Sequence, residues 1–195
     1  MSISPRTVAG SARQSRHWVE SMGGPLIAVP VSALPGWGGC AQAGGAGRAD
    51  GPDDYDRACE VDGWAGVIAV GGDGAQALVL ADEPARSRYL PEHRAFLRWL
   101  AADSEADLIA AAEAVLAAPA TAWEECGTWK TDGAAVLMDS VTSGTDLGIE
   151  YPIGGGLPEQ APVLIPAGRW TVRAVHTEAG EHTWIGLVQL VADSA

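Results

Sequence analysis

Short apolar runs separated by glycine and proline limit what this chain can fold into. The 195 residues include 25 glycines and 12 prolines, and these recur along most of the sequence. Apolar runs bounded by glycine, proline, aspartate or serine are typical of β-strands and turns. We therefore expect a structure made mostly of strands.

Two hairpins are the clearest strand pairs. Residues 64–70 and 77–80 are apolar runs joined across Gly71–Gly74, which predicts a hairpin turn. Near the C-terminus, residues 170–175 alternate between two faces and are followed by a second run at 183–190. These two runs predict a C-terminal β-hairpin.

The segment at 91–118 has a helical pattern. Pro91 is well suited to the first position of a helix. The apolar residues after it, Phe96, Leu97 and Leu100, recur at helical spacing. Ser104 and Asp107 resemble a capping box in front of a second apolar stripe, which Pro119 ends. The order of elements predicts an α+β fold, mostly antiparallel β-sheet with a central pair of α-helices and a C-terminal β-hairpin.

The length of the chain fits one domain. We expect a flexible N-terminus at 1–16 and a single domain over 17–195. The same order of elements also fits two β-rich halves, 17–90 and 121–195, around helices at 91–118.

Charge limits the partners of this chain. It has 25 acidic and 12 basic residues, for a net charge of −13. Phosphate backbones and anionic lipid surfaces would repel it, so we expect neither nucleic acid nor membrane as a partner. No signal-peptide pattern and no apolar run of membrane-spanning length is seen, which predicts a cytoplasmic protein whose charge-selected partner is basic.

No residue pattern indicates an enzyme. The three cysteines, Cys40, Cys59 and Cys126, form no CxxC pair, and His176 and His182 match no compact metal-ligand spacing. There is no GxSxG elbow and no phosphate-binding loop motif. We therefore expect no catalytic residue, no cofactor and no metal.

Tryptophan is unusually frequent, with eight residues against one phenylalanine. Most of them are expected in the core. Trp37 lies between glycines and Trp129 lies beside Lys130, so both are expected to be exposed. Exposed tryptophan beside acidic residues is typical of protein interfaces.

Acidic residues are dense around Tyr55. If residues 53–60 are helical with Asp53 as the N-cap, Tyr55 and Cys59 share one face, which we expect to pack inward while the acids face solvent. The residues expected to bind a partner are Trp37, Asp53, Asp54, Asp56, Glu60 and Asp62.

Two short motifs in this region resemble a known family. Trp37-Gly38-Gly39 matches a WxG pattern and Tyr55–Cys59 a YxxxC pattern, and both are similar to the signatures of the immunity protein 21 family. Further runs similar to that family are Trp18–Leu26, Ala77–Pro84 and Arg98–Glu105. The resemblance extends from about His17 onward.

The resemblance implies a cytoplasmic α+β protein of a bacterial polymorphic toxin system. Such a protein binds and neutralises the toxin encoded beside it and catalyses nothing itself. The motif residues Trp37, Gly39, Tyr55 and Cys59 are either structural or functional. The alternative is a small cytosolic hydrolase or ligand-binding protein with its pocket beside the glycine-rich loop 36–53, which a cluster of His, Cys and Asp would favour.

Overall fold

In the computed structural model of the protein, residues 17–40, 51–180 and 182–193 are described. The segment 1–16, expected to be flexible, and residues 41–50 of the glycine-rich loop lie outside them. The strands of the described part are β1 (Leu26–Pro30), β2 (Gly66–Val70), β3 (Ala75–Leu80), β4 (Ser87–Leu90), β5 (Ala95–Ala101), β6 (Glu124–Thr131), β7 (Ala135–Asp139), β8 (Gln160–Val163), β9 (Gly168–Gly180) and β10 (Thr183–Ala192). The α-helices there are α1 (Asp54–Cys59) and α2 (Glu105–Ala117), and short 3₁₀ helices span Val31–Gly36 and Pro152–Gly154.

The strands form two five-stranded sheets. The first has the order β2-β3-β1-β7-β8 and the second β4-β5-β10-β9-β6, with antiparallel neighbours throughout. Apolar side chains from both sheets meet in one core cluster, for example Leu78 and Leu137 from the first sheet and Phe96 and Val188 from the second. The two sheets therefore pack face to face, and the prediction of mostly antiparallel β-sheet is confirmed.

Each sheet contains strands from both the 17–90 and the 121–195 parts of the chain. In the first sheet β1 pairs with β3 on one side and β7 on the other, so that Ile27 lies opposite both Val79 and Met138. In the second sheet β10 lies between β5 and β9. The described strands thus interleave across the middle of the chain.

The prediction of a central pair of helices is wrong for its first member. Residues 91–94 form a turn between β4 and β5, in which Arg94 N–H donates to the Pro91 carbonyl (3.3 Å). Phe96 points into the core between the sheets, while Leu97 points to the opposite face. A strand buried on both faces is continuously apolar, and its pattern cannot be distinguished from that of a short buried helix.

The second predicted helix is confirmed as α2. Ser104 Oγ accepts a hydrogen bond from Asp107 N–H (3.2 Å) at its start, and the helix ends just before Pro119. Its buried residue Leu108 packs with Leu97 and Ile185 on the outer face of the second sheet. Among the described residues, no helix is long and apolar enough to cross a membrane.

Both predicted hairpins are also confirmed. Val70 pairs with Ala75 around the Gly71–Gly74 turn, and Thr183 pairs with Gly180 in the C-terminal hairpin. The exposure expected for Trp129 is wrong, because its side chain is completely buried between the sheets. Its indole N–H donates to the Gln76 carbonyl (3.1 Å), which satisfies the one polar group of the ring.

Candidate functional site

The two family motifs lie together on the outer face of the first sheet. The loop Trp37–Gly39 packs beside α1 and beside the segment 139–144, which begins at the last residue of β7. We call these three pieces the motif cluster. Backbone hydrogen bonds join them: Gly144 N–H donates to the Trp37 carbonyl (2.9 Å), and Tyr55 N–H to the Gly39 carbonyl (3.3 Å). Two motifs separated in sequence therefore form one unit.

Trp37 is buried, so the expectation of an exposed partner anchor at this position is wrong. Only 1% of the residue is accessible. The ring packs with Ala58 of α1 and Met138 of β7, and its indole N–H donates to the Ser140 carbonyl (3.2 Å). Flanking glycines suggested a loop at the surface, whereas they let the backbone approach neighbouring segments closely.

Gly39 shows that close approach directly. Its φ of +64° lies in the left-handed region that favours glycine. A Cβ at this position would lie 2.5 Å from the Val141 carbonyl oxygen and 2.7 Å from the Ser143 nitrogen. Both obstacles are backbone atoms, so the motif requires glycine here for a structural reason.

The helix predicted over 53–60 is confirmed, but several of its acids are used locally. Asp53 Oδ1 accepts from Asp56 N–H (2.7 Å), and Asp56 Oδ2 accepts from Asp53 N–H (3.2 Å), which makes a reciprocal capping box. Asp54 pairs with Arg57 and accepts from Gly38 N–H (2.7 Å). Of the acids expected to bind a partner, Glu60 and Asp62 are the exposed ones.

Tyr55 and Cys59 do not face the core as expected. Cys59 is exposed and Tyr55 is half-buried, because Ala58 is the α1 residue that turns toward the sheet. The Tyr55 ring lies against Gly24, where a Cβ would be 2.5 Å from ring carbon Cε2. The pKa of Tyr55 is raised by its hydrogen bond with Cys59, then by the charge of Cys59 and by burial.

Asp139 is a residue that sequence reasoning missed. Its carboxylate is buried at the end of β7 and accepts from Met22 N–H (2.5 Å) and Val141 N–H (2.9 Å). Burial raises the pKa of this group, and the two hydrogen bonds oppose the rise. The only sequence signal was an acid directly after an apolar run. Asp139 ties the turn at 21–24 to the motif cluster.

A second polar cluster lies at one end of the space between the sheets. Arg98, almost wholly buried on β5, donates to the carbonyls of Ala81 and Glu83. His176 of β9 lies with Nε2 3.3 Å from Arg98 Nη1 and Nδ1 3.5 Å from Asp82 Oδ2. Burial, with the nearby Arg98 charge, lowers the pKa of His176 to about 4.

This cluster bears on the hydrolase alternative. The His176–Asp82 pair has the form of a base with its orienting carboxylate, but Nε2 faces the Arg98 guanidinium rather than a hydroxyl or thiol. In the described ranges no three or more His, Cys, Asp or Glu residues group as metal ligands. Residues 41–50 of the loop 36–53, beside which the alternative places its pocket, lie outside the described residues.

Fold and site together define a class: a two-sheet antiparallel β protein with strong negative charge, whose motif cluster is built largely from structural contacts. The immunity protein 21 family matches residues 17–183. The chain belongs to this family, which confirms the resemblance seen at Trp37–Gly39 and Tyr55–Cys59. No curated protein and no solved structure matches the chain significantly.

The thiols provide a direct check of α1. We expect Cys59 to react in the native protein about as fast as in urea, because it is exposed. Cys126 is half-buried and burial raises its pKa, so it should react at least about tenfold more slowly when folded. Mass measurement after timed alkylation and peptide mapping gives both rates. Protection of Cys59 would contradict the observed orientation of the helix.

Proposed function

We propose that this chain is a non-catalytic immunity protein that binds and neutralises the toxin of a bacterial polymorphic toxin system in the cytoplasm. The observation that carries the proposal is the family match over residues 17–183. The surroundings of His176 disfavour a hydrolytic nucleophile–base pair at this histidine, since a guanidinium lies next to Nε2.

The toxin in this proposal has a basic surface. A net charge of −13 attracts a basic protein and accelerates its association. Toxins that cut nucleic acid need basic surfaces to hold phosphates, and an acidic inhibitor competes for that same surface. The partner class thus follows from charge complementarity.

The contact surface proposed here includes the exposed acids next to α1. Asp53, Asp54 and Asp56 hold the helix and the Trp37–Gly39 loop in place. Glu60 and Asp62 are exposed, so these two carboxylates are the part of the acidic segment best placed to meet a partner. The other acids would support binding through the shape of the helix.

Reversal of these two charges tests the proposal. In cells that produce the toxin domain encoded next to this chain, the wild type should protect, and the double variant Glu60→Lys, Asp62→Lys should protect poorly. Its melting curve should change little, because exposed substitutions usually alter stability by less than ~0.5 kcal/mol. Association measured between about 20 and 300 mM salt should lose much of its salt dependence.

The matched control places the same two charge changes elsewhere, at exposed Asp73 and Glu113. That variant should keep protection.

Asp56→Lys should lower the free energy of unfolding by about 1 kcal/mol, because it removes half of the capping box. If the wild type neither binds nor protects against the toxin, the proposed function is wrong. If only the Glu60, Asp62 variant protects normally, the contact surface is elsewhere.

A further inference from the structure

The open end of the sandwich, beyond the Arg98–His176 cluster, contains a cleft of about 360 Å³. It lies where the apolar core gives way to polar side chains. Its lining includes Trp64, Asp82, Glu83, Leu100, His176 and Trp184. None of these side chains belongs to the motif cluster.

Two tryptophans give the cleft its aromatic surfaces. Trp184 of β10 is 47% exposed, which is high for so large an apolar side chain. Trp64 stacks on His176 with ring centroids 3.9 Å apart and an interplanar angle of 34°. That contact holds the Trp64 ring in place. The face of a tryptophan ring attracts cations more strongly than the face of any other aromatic side chain.

The cleft contains more negatively charged than positively charged side chains. Asp82 and Glu83 are both exposed there, and Glu178 lies opposite Trp184 in the β9–β10 ladder. His176 is neutral near pH 7, since burial lowers its pKa to about 4. The cation within the cluster is Arg98, which is buried and engaged by two backbone carbonyls.

The backbone conformation of Asp82 directs its side chain toward His176. Its φ of +66° lies in the left-handed region, which aspartate adopts more readily than most residues other than glycine. The conformation puts its carboxylate 3.5 Å from His176 Nδ1, while 38% of the side chain stays accessible.

We propose that this cleft binds the guanidinium group of an arginine side chain on the basic partner protein. The proposal rests on the proposed function for the partner, but its chemistry is set by the cleft. A guanidinium stacks on tryptophan and at the same time donates paired hydrogen bonds to a carboxylate. The cleft presents both groups, and its volume suits one side chain better than a folded surface.

The test uses a probe that contains no toxin. Nα-acetylarginine amide is titrated into ¹⁵N-labelled protein while the indole N–H signals are followed, with Nα-acetylcitrulline amide as the uncharged match. We expect a saturable shift of the Trp184 and Trp64 signals with a dissociation constant in the millimolar range for the arginine probe. Equal shifts with citrulline, or equal affinity for Nα-acetyllysine amide, would overturn the assignment to arginine.

Substitutions locate the binding. Trp184→Ala should weaken arginine binding about 5- to 30-fold, as expected for loss of a cation–π contact, and Trp184→Phe should weaken it less. Glu83→Gln should weaken it about threefold at low salt, whereas Glu113→Gln on the exposed face of α2 should not change it. If Trp184→Ala is misfolded, the affinities of Trp184→Phe and Glu83→Gln for the arginine probe test the site instead. Unchanged affinity in both would refute the site.

The two proposals fail separately. If the arginine probe does not bind, protection of cells by the wild type would still support the immunity function. If the wild type does not protect cells, the arginine titration still tests the cleft, because that measurement requires no toxin.

Discussion

Lowering the pH from 7 to 5 is expected to destabilise the folded protein by roughly 2 kcal/mol through His176 alone. Burial lowers the pKa of this histidine from 6.5 to about 4. Between those values the unfolded chain binds a proton that the folded protein does not bind. The stability due to His176 therefore rises with pH across this window and is complete above about 6.5.

The measurement is urea unfolding at several pH values between 4.5 and 7.5. The charged groups that face His176 are Arg98 and Asp82, and Asp82 partly opposes the shift. In His176→Gln the slope of stability against pH in this range should become much smaller. A wild-type slope that equals the variant slope would contradict the neutral, buried state of His176.

Asp139 acts in the opposite direction. Burial raises its pKa, so its ionised form is disfavoured in the folded protein, and acidification toward that pKa relieves the cost. Asp139→Asn should therefore make the acid sensitivity of the protein steeper. Urea unfolding of His176→Gln and Asp139→Asn at the same pH values separates the contributions of the two residues to the pH dependence of stability.

Changes in the WxG motif are expected to have the largest effect on stability. Trp37→Ala should lower the free energy of unfolding by about 4 kcal/mol, because it leaves a large cavity and removes the partner of the Ser140 carbonyl. Gly39→Ala should cost about 2 kcal/mol or more, since φ is +64° and the new Cβ meets backbone atoms. Both are measured by chemical denaturation.

Gly72→Ala is the matched control. Gly72 lies in the turn between β2 and β3, where an added Cβ would have no atom within 4 Å. Its substitution should change the free energy of unfolding by less than ~0.5 kcal/mol. If Trp37→Ala and Gly39→Ala were as mild as this control, the motif would not be structural, and a role in partner contact would gain support.

Local patterns predicted much of the fold. The β2–β3 and β9–β10 hairpins and α2 were found because each has its turn or capping signal within a few residues of its apolar run. The prediction of a helix over 95–101 is wrong because the two faces of this strand pack against different layers, the sandwich core and α2. Nothing in the segment itself shows that both layers exist.

The candidate sites were harder to predict for a related reason. The motif around α1 was recognised, but the burial of Trp37 depends on Ser140 and Met138, more than a hundred residues along the chain. The cleft brings together Trp64, Asp82 and His176, which share no local spacing. Such clusters are created by strand pairing and have no signature in a short window.

The places of β1 and β10 have a kinetic consequence. They are the first and last described strands, yet each is the central strand of its sheet. Ile27 must find Met138, and Leu187 must find Leu97, before either sheet is complete. Pairings this distant raise the contact order, and all-β proteins of that kind fold in milliseconds to seconds. The second sheet therefore lacks its central strand until residues 183–192 have been synthesised.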